Sequence, residues 1–181
     1  LRTQPTGVAL RGEYEGVRLE GILVAIQPGG EWLAAHQDTV MLVEEERRLP
    51  RPGMDPFRTR PRFVMGVTID GESRAYYVEH LAKQAIHNDE LAGEPLLVFA
   101  RRSALFATIY SRSVSGATLT FLWNDDTFLD SGTGSTWDAA TGDATGGPLA
   151  DTALRQVAAS SAFDWARLLH NPETTFYPPR G

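Results

Sequence analysis

Short apolar runs broken by turn residues fill residues 62–130. Phe63 to Thr68 and Arg74 to Val78 flank Asp70-Gly71, a pair that favours a two-residue hairpin. Pro95 to Ala100, Ala104 to Tyr110 and Ala117 to Trp123 read as strands, Asn124-Asp125-Asp126 as a turn, and a further strand starts at Thr127. Helical spacing is rarer. A short helix is predicted over Glu79 to Ile86. A better one runs from Ser161 to His170, with Ser161 as cap, Asp164 three residues on, and Asn171-Pro172 as its stop. Ala162, Trp165, Ala166 and Leu169 share one face of it, so Trp165 is expected to be buried against a sheet. The pattern predicts an α+β fold with a predominantly antiparallel β-sheet and a few short helices.

A longer-range pattern lies over these elements. Thr6-Gly7-Val8-Ala9, Leu19, Glu31-Trp32 and His36-Gln37-Asp38-Thr39 recur in order as Thr141-Gly142-Asp143-Ala144, Leu154, Asp164-Trp165 and His170-Asn171-Pro172-Glu173-Thr174. Four matches in sequence indicate a duplicated unit. The chain then divides into residues 1–43, the tail of a truncated first unit; 44–61, a connecting segment; and 62–181, a complete second unit. The connector joins Glu44-Glu45-Glu46-Arg47-Arg48 to Pro50, Pro52, Gly53 and Pro56, with Met54 and Phe57 as apolar anchors. The chain opens at Leu1 rather than Met, which reads as a processed product or part of a longer protein.

Composition narrows the partners. The chain has 181 residues, 42% hydrophobic and 22% charged, a balance that excludes a mainly disordered chain. Its net charge is −6 and no basic run exceeds two residues, so nucleic acid is not an expected partner. No apolar stretch nears the roughly 20 residues of a membrane-spanning helix. Cysteine is absent, which removes disulfides, thiolate zinc sites and cysteine nucleophiles. Lys83 is the single lysine, so arginine carries nearly all the positive charge.

Candidate chemistry is sparse. His80, Gln84 and His87 can share a helix face, but no carboxylate completes a metal set; no metal and no cofactor are expected. Asp130-Ser131-Gly132-Thr133-Gly134-Ser135-Thr136-Trp137 is the most distinctive run. Its hydroxyls and glycines suit either a backbone nest for an anion or a hairpin held by local side-chain bonds. Ser113-Val114-Ser115-Gly116 lacks the first glycine of a nucleophile elbow. Arg101-Arg102 after an apolar strand can meet a carboxylate or snorkel from a sheet edge.

Several segments taken together resemble a prokaryotic family known as domain of unknown function 3179: Gly66 to Tyr76, Asn88 to Pro95, Thr133 to Trp137 and Gly147 to Ala150, with the Trp-containing helix and the Pro-Glu-Thr ending. The resemblance implies tandem units, in agreement with the repeat, and export to the periplasm or exterior. Many members carry Trp-His-Glu before the Asn-Asp pair and Cys-Pro-x-Cys on the next strand. Here Gln84 stands at the His and Arg101-Arg102-Ser103-Ala104 at the cysteines, so any metal or redox site built on those residues is lost in this chain.

Two functions follow as expectations. The first, which leans away from catalysis, is a structural or interaction module, a subunit or fragment of a larger protein or assembly, partnered by another protein chain or a copy of itself. The second is a ligand-binding or enzymatic domain with a pocket near His87, Asp89, Arg101 and Ser135; its candidate residues are Gln84, His87, Asn88, Asp89, Arg101, Arg102, Thr133, Ser135 and Trp137. Ile22 and Trp32 are the candidate partner contacts, because a tail of about 40 residues struggles to bury its apolar surface alone.

Overall fold

A computed structural model describes residues 7–19, 23, 29–40, 62–100, 107–124 and 127–179. The N-terminal part holds one helix, α1 (Gly29–Ala35), and a bridge between Val8 and Arg18. From residue 62 the described chain runs β1 (Phe63–Ile69), β2 (Glu72–Tyr77), α2 (Val78–Gln84), β3 (Ile86–Leu91), β4 (Glu94–Ala100), β5 (Ala107–Ser111), β6 (Ser113–Val114), β7 (Ala117–Thr118), β8 (Phe121–Asn124), β9 (Thr127–Asp130), β10 (Thr136–Asp138), β11 (Ala144–Gly146), β12 (Ala159–Phe163), α3 (Asp164–His170) and β13 (Thr175–Tyr177). The described fold is mostly antiparallel sheet with few short helices. Only β13, which lies parallel to β2, departs from antiparallel pairing among the described strands.

Three two-residue turns set the hairpin registers. Asp70-Gly71, Ala92-Gly93 and Ser115-Gly116 all have positive φ at both positions, the twist that suits two tightly joined strands. The first joins β1 to β2, the second β3 to β4, the third β6 to β7.

The three-stranded sheet β3-β4-β5 divides two apolar cores. Strand β4 is buried on both faces from Leu96 to Ala100, as an inner strand must be. Leu96, Val98 and Ala100 face a core shared with Met65, Val67 and Tyr76 of the sheet β12-β1-β2-β13 and with Leu81 of α2. Leu97 and Phe99 face the other core, with Phe121, Phe128 and Trp137 of the sheet β11-β10-β9-β8.

Helix α3 corrects an expectation. It begins at Asp164, residues 159–163 are strand, and Ser161 does not cap it. Its buried residues are Asp164 and Arg167, while Trp165 is 58% and Leu169 72% exposed. The reason lies in the sheet beneath. Gly66 and Ser73 leave a slot lined by polar atoms, and the Arg167 guanidinium fills it. Its Nη2 donates to the Val67 carbonyl (2.9 Å), Thr68 Oγ1 (2.6 Å) and Ser73 Oγ (2.8 Å). Asp164 turns the same way and accepts from Tyr77 Oη at 3.1 Å. The slot selects the polar face of the helix, which turns Trp165 out.

Candidate functional site

The two-residue period of a strand sends alternate side chains to opposite faces. On β3, His87 and Asp89 therefore face β2 and β13, while Asn88 faces β8. On β2, Arg74 and Tyr76 stand two apart on the face that meets Asp89. The result is a polar cluster where two sheets adjoin. Arg74 Nη1 donates to both Asp89 oxygens (2.7 and 2.8 Å) and to the Glu90 carbonyl (3.0 Å). Tyr76 Oη donates to Asp89 Oδ2 and the Glu90 N–H to Asp89 Oδ1, each at 2.8 Å. Arg74 Nε reaches Thr175 Oγ1 on β13 at 3.2 Å.

His87 completes the cluster by stacking rather than bonding. Its ring lies 3.8 Å from that of Tyr177, nearly parallel, and the edge of His80 meets the same tyrosine at 5.4 Å. His87 Nε2 is 3.9 Å from Asp89 Oδ2, beyond hydrogen-bond distance. Tyr177 Oη donates to Gln84 Oε1 at 3.4 Å. Gln84, His87 and Asp89 thus meet around β13, as neighbours of one cluster.

The charges follow from these contacts. Burial alone would raise the Asp89 carboxyl, but the hydrogen bonds from Arg74, Tyr76 and the Glu90 N–H outweigh it and hold the group below its ordinary range. Burial and the adjacent carboxylate push the Tyr76 phenol well up. Burial, aided by the nearby charges of Arg74 and His80, outweighs Asp89 and lowers His87. Each Asp89 oxygen already receives two donors, which fills the roughly four acceptor positions of a carboxylate. To take a substrate proton, Asp89 would have to give up a bond.

The other sequence candidates lie in separate networks. Asn88 acts as a strand substitute: its Nδ2 donates to the Phe121 carbonyl (2.8 Å) and its Oδ1 accepts from the Phe121 N–H (3.0 Å). Thr133 and Ser135 belong to the β9–β10 hairpin. There the wholly buried Asp130 accepts from the N–H groups of Gly132 (2.9 Å) and Thr133 (3.0 Å) and from Thr133 Oγ1. The donors an external anion would need are filled by the chain's own carboxylate. Ser135 Oγ lies 2.7 Å from Thr133 Oγ1 and accepts from the Leu149 N–H at 3.1 Å. Trp137 is wholly buried, edge-on to Phe121. Arg101, Arg102 and Ile22 lie outside the described residues, as does the 44–61 connector. Trp32 is 39% exposed; it stacks on His36 and donates from Nε1 to Thr39 Oγ1 at 2.8 Å.

Sequence reasoning missed Arg74, Tyr76 and Tyr177, and also Arg112. Arg112 Nε donates to the Leu96 carbonyl (3.0 Å), Nη2 to the Asp89 carbonyl (3.0 Å) and Nη1 to the Leu119 carbonyl. The available signal was the two-residue spacing of Arg74 and Tyr76 against that of His87 and Asp89. Among the described residues no three His, Asp or Glu side chains gather as a metal set, and no helix is long and apolar enough to cross a membrane.

No curated protein and no solved structure matches the chain. A family model does, that of the proteins of unknown function DUF3179. It runs over residues 1–174, through the N-terminal part, the connector and the sheets that carry the Arg74–Asp89 cluster. With nearly its whole length matched, the chain belongs to the DUF3179 family.

Proposed function

We propose that this chain is a non-catalytic interaction module, a subunit or fragment of a larger protein or assembly. One observation carries the reading. Residues 7–40 present Leu10, Tyr14, Val17, Leu19, Leu23, Trp32, Leu33 and Val40 as exposed large apolar side chains, Val40 at 95%. Burying one such side chain is worth about 1.5–3 kcal/mol, so a surface of this kind has much to gain from a partner. The polar clusters support the same reading. Asp89, Asn88, Asp130 and Ser135 spend their hydrogen bonds joining strands and turns. The ligand-binding alternative draws on His87 and Asp89 together with Ser135, which belong to separate networks. Export of the module rests on the family resemblance.

The test is a set of single substitutions, Asn88→Ala, Asp89→Asn, Asp130→Ala and Ser135→Ala, with thermal unfolding of each. Groups that only hold strands lower Tm when removed. A group kept for chemistry is commonly held at a cost to stability, and its removal raises Tm. A rise in any of the four contradicts the reading.

A further inference from the structure

We propose that the open edge of β12 takes an extended, acidic segment of a partner protein as an added strand, with one carboxylate of that segment seated at Ser160 and Arg167. β12 closes one side of the sheet β12-β1-β2-β13, and no described strand lies beyond it. Its register with β1, and the bond from the Asp164 N–H to the Arg62 carbonyl, fix which way its backbone points. Ser160 and Ala162 turn their N–H and C=O groups toward β1, while Ala159 and Ser161 turn theirs outward. Ala159, Ser160 and Ser161 are all exposed. Natural sheet edges are blunted by a charge, a proline or a bulge; Ala159-Ser160-Ser161-Ala162 carries neither charge nor proline, and its register with β1 is unbroken. The opposite edge differs, since β13 (Thr175–Tyr177) is short and runs into Pro178-Pro179.

Arg167 names the charge of the occupant. Ser160 stands opposite Gly66, on the face of the sheet that carries the Arg167 guanidinium. Nη2 of that group reaches inward to Val67, Thr68 and Ser73; Nη1 reaches toward the edge and donates to Ser160 Oγ at 3.3 Å, the longest of the four bonds. All these acceptors are neutral. No carboxylate of a described residue pairs with Arg167, so a buried cation stands without a counter-charge. Burial disfavours its charge, and nothing acidic offsets that. The place for an anion is the Ser160 end, where Oγ accepts from Nη1 and makes no other hydrogen bond to a described residue. A strand laid along β12 sends every second side chain to that face, beside Ser160. An aspartate or glutamate there accepts the Ser160 proton and faces the guanidinium, whereas a neutral strand fills the edge and leaves the cation as it is. The edge shares no residue with the apolar surface of residues 7–40, so this inference goes beyond the function proposed above and can fail without it.

The experiment is fluorescence anisotropy on the full chain with two labelled peptides, Thr-Val-Thr-Glu-Thr-Val-Thr and its counterpart with Gln in place of Glu. The expected Kd for the Glu peptide is on the order of 100 μM, with the Gln peptide about tenfold weaker, the worth of one hydrogen bond to a charged group. Ser161→Pro removes an N–H that points away from β1; it should abolish binding and leave the far-ultraviolet circular dichroism unchanged. Ser160→Glu supplies the anion from within the chain, so Tm should rise and the preference for the Glu peptide should vanish. Failure of both peptides to bind at about 1 mM overturns the proposal, as do equal affinities for the two or binding that survives Ser161→Pro. A Ser160→Glu variant with an unraised Tm, or with the Glu preference intact, overturns the role of Arg167 and with it the acidic occupant. A native chain that dimerises without peptide, and becomes monomeric in Ser161→Pro, gives the edge to a second copy and overturns the proposal too.

Discussion

The guanidinium of Arg167 lies against Gly66, so closely that a Cβ on residue 66 would stand 2.6 Å from Arg167 Cζ and 2.7 Å from Nε. Nε of the same guanidinium is buried without a hydrogen-bond partner. The absence of a side chain on β1 is what lets a charged residue attach α3 to the sheet from beneath, while Trp165 stays mostly exposed and stacks on Phe163 of β12.

Gly66→Ala should therefore unseat Arg167. The new methyl group forces the guanidinium off Val67, Thr68 and Ser73, or moves the strand. Overpacking of this kind costs about 1–3 kcal/mol, read as a shift of the urea midpoint. An unchanged midpoint would mean that the slot is looser than the geometry shows.

Acid should weaken the fold through two groups in different windows. His87 is held below its ordinary 6.5, so under that pH the unfolded chain binds the more protons. Stability falls as pH drops through 6.5, and the loss is complete below the folded value. Asp89 is held below its ordinary 3.8; its contribution is full above that pH and disappears as pH falls through the lower folded value. His87→Phe keeps a ring against Tyr177 and removes the first titration. Urea midpoints from pH 7 to pH 5 should be flatter in that variant than in the native chain, and equal slopes would assign the effect elsewhere.

The Asp130 hairpin should fail when its carboxylate is removed. Asp130→Ala leaves the Gly132 and Thr133 N–H groups without their acceptor next to a buried Ser135. Gly132 and Thr133 are exposed, so water meets part of the loss, and the cost per bond is the net worth of a hydrogen bond, about 0.5–1.5 kcal/mol. Amide hydrogen exchange at Gly132 and Thr133 should rise in step. Loss of stability without faster exchange there would place the cost outside the turn.

The hairpin built on Asp70-Gly71 and the strands over Pro95 to Ala100 and from Thr127 were legible because turn chemistry and apolar runs are local signals. Ala92-Gly93 and Ser115-Gly116 were harder, since alanine and serine rarely take positive φ and give no warning of it. Strand β12 and the inverted α3 were misread for a different reason. The spacing of Ala162, Trp165, Ala166 and Leu169 is helical, but which face turns inward depends on Gly66 and Ser73, about 90–100 residues earlier. The candidate site was half legible. His87 and Asp89 drew notice as residue types, whereas Arg74, Tyr76 and Tyr177 join them only once β2, β3 and β13 are brought together.

The most direct test of the structural reading is the urea unfolding free energy of Asp89→Asn at pH 7. The carboxylate takes bonds from Arg74, Tyr76 and the Glu90 N–H, and an amide cannot accept all of them. A hydrogen bond to a charged group is worth about 1.5–3 kcal/mol, and partial exposure of Arg74 discounts it. The predicted result is a loss of about 2 kcal/mol. A variant as stable as the native chain, or more stable, would contradict the account and return Asp89 to the candidates for chemistry.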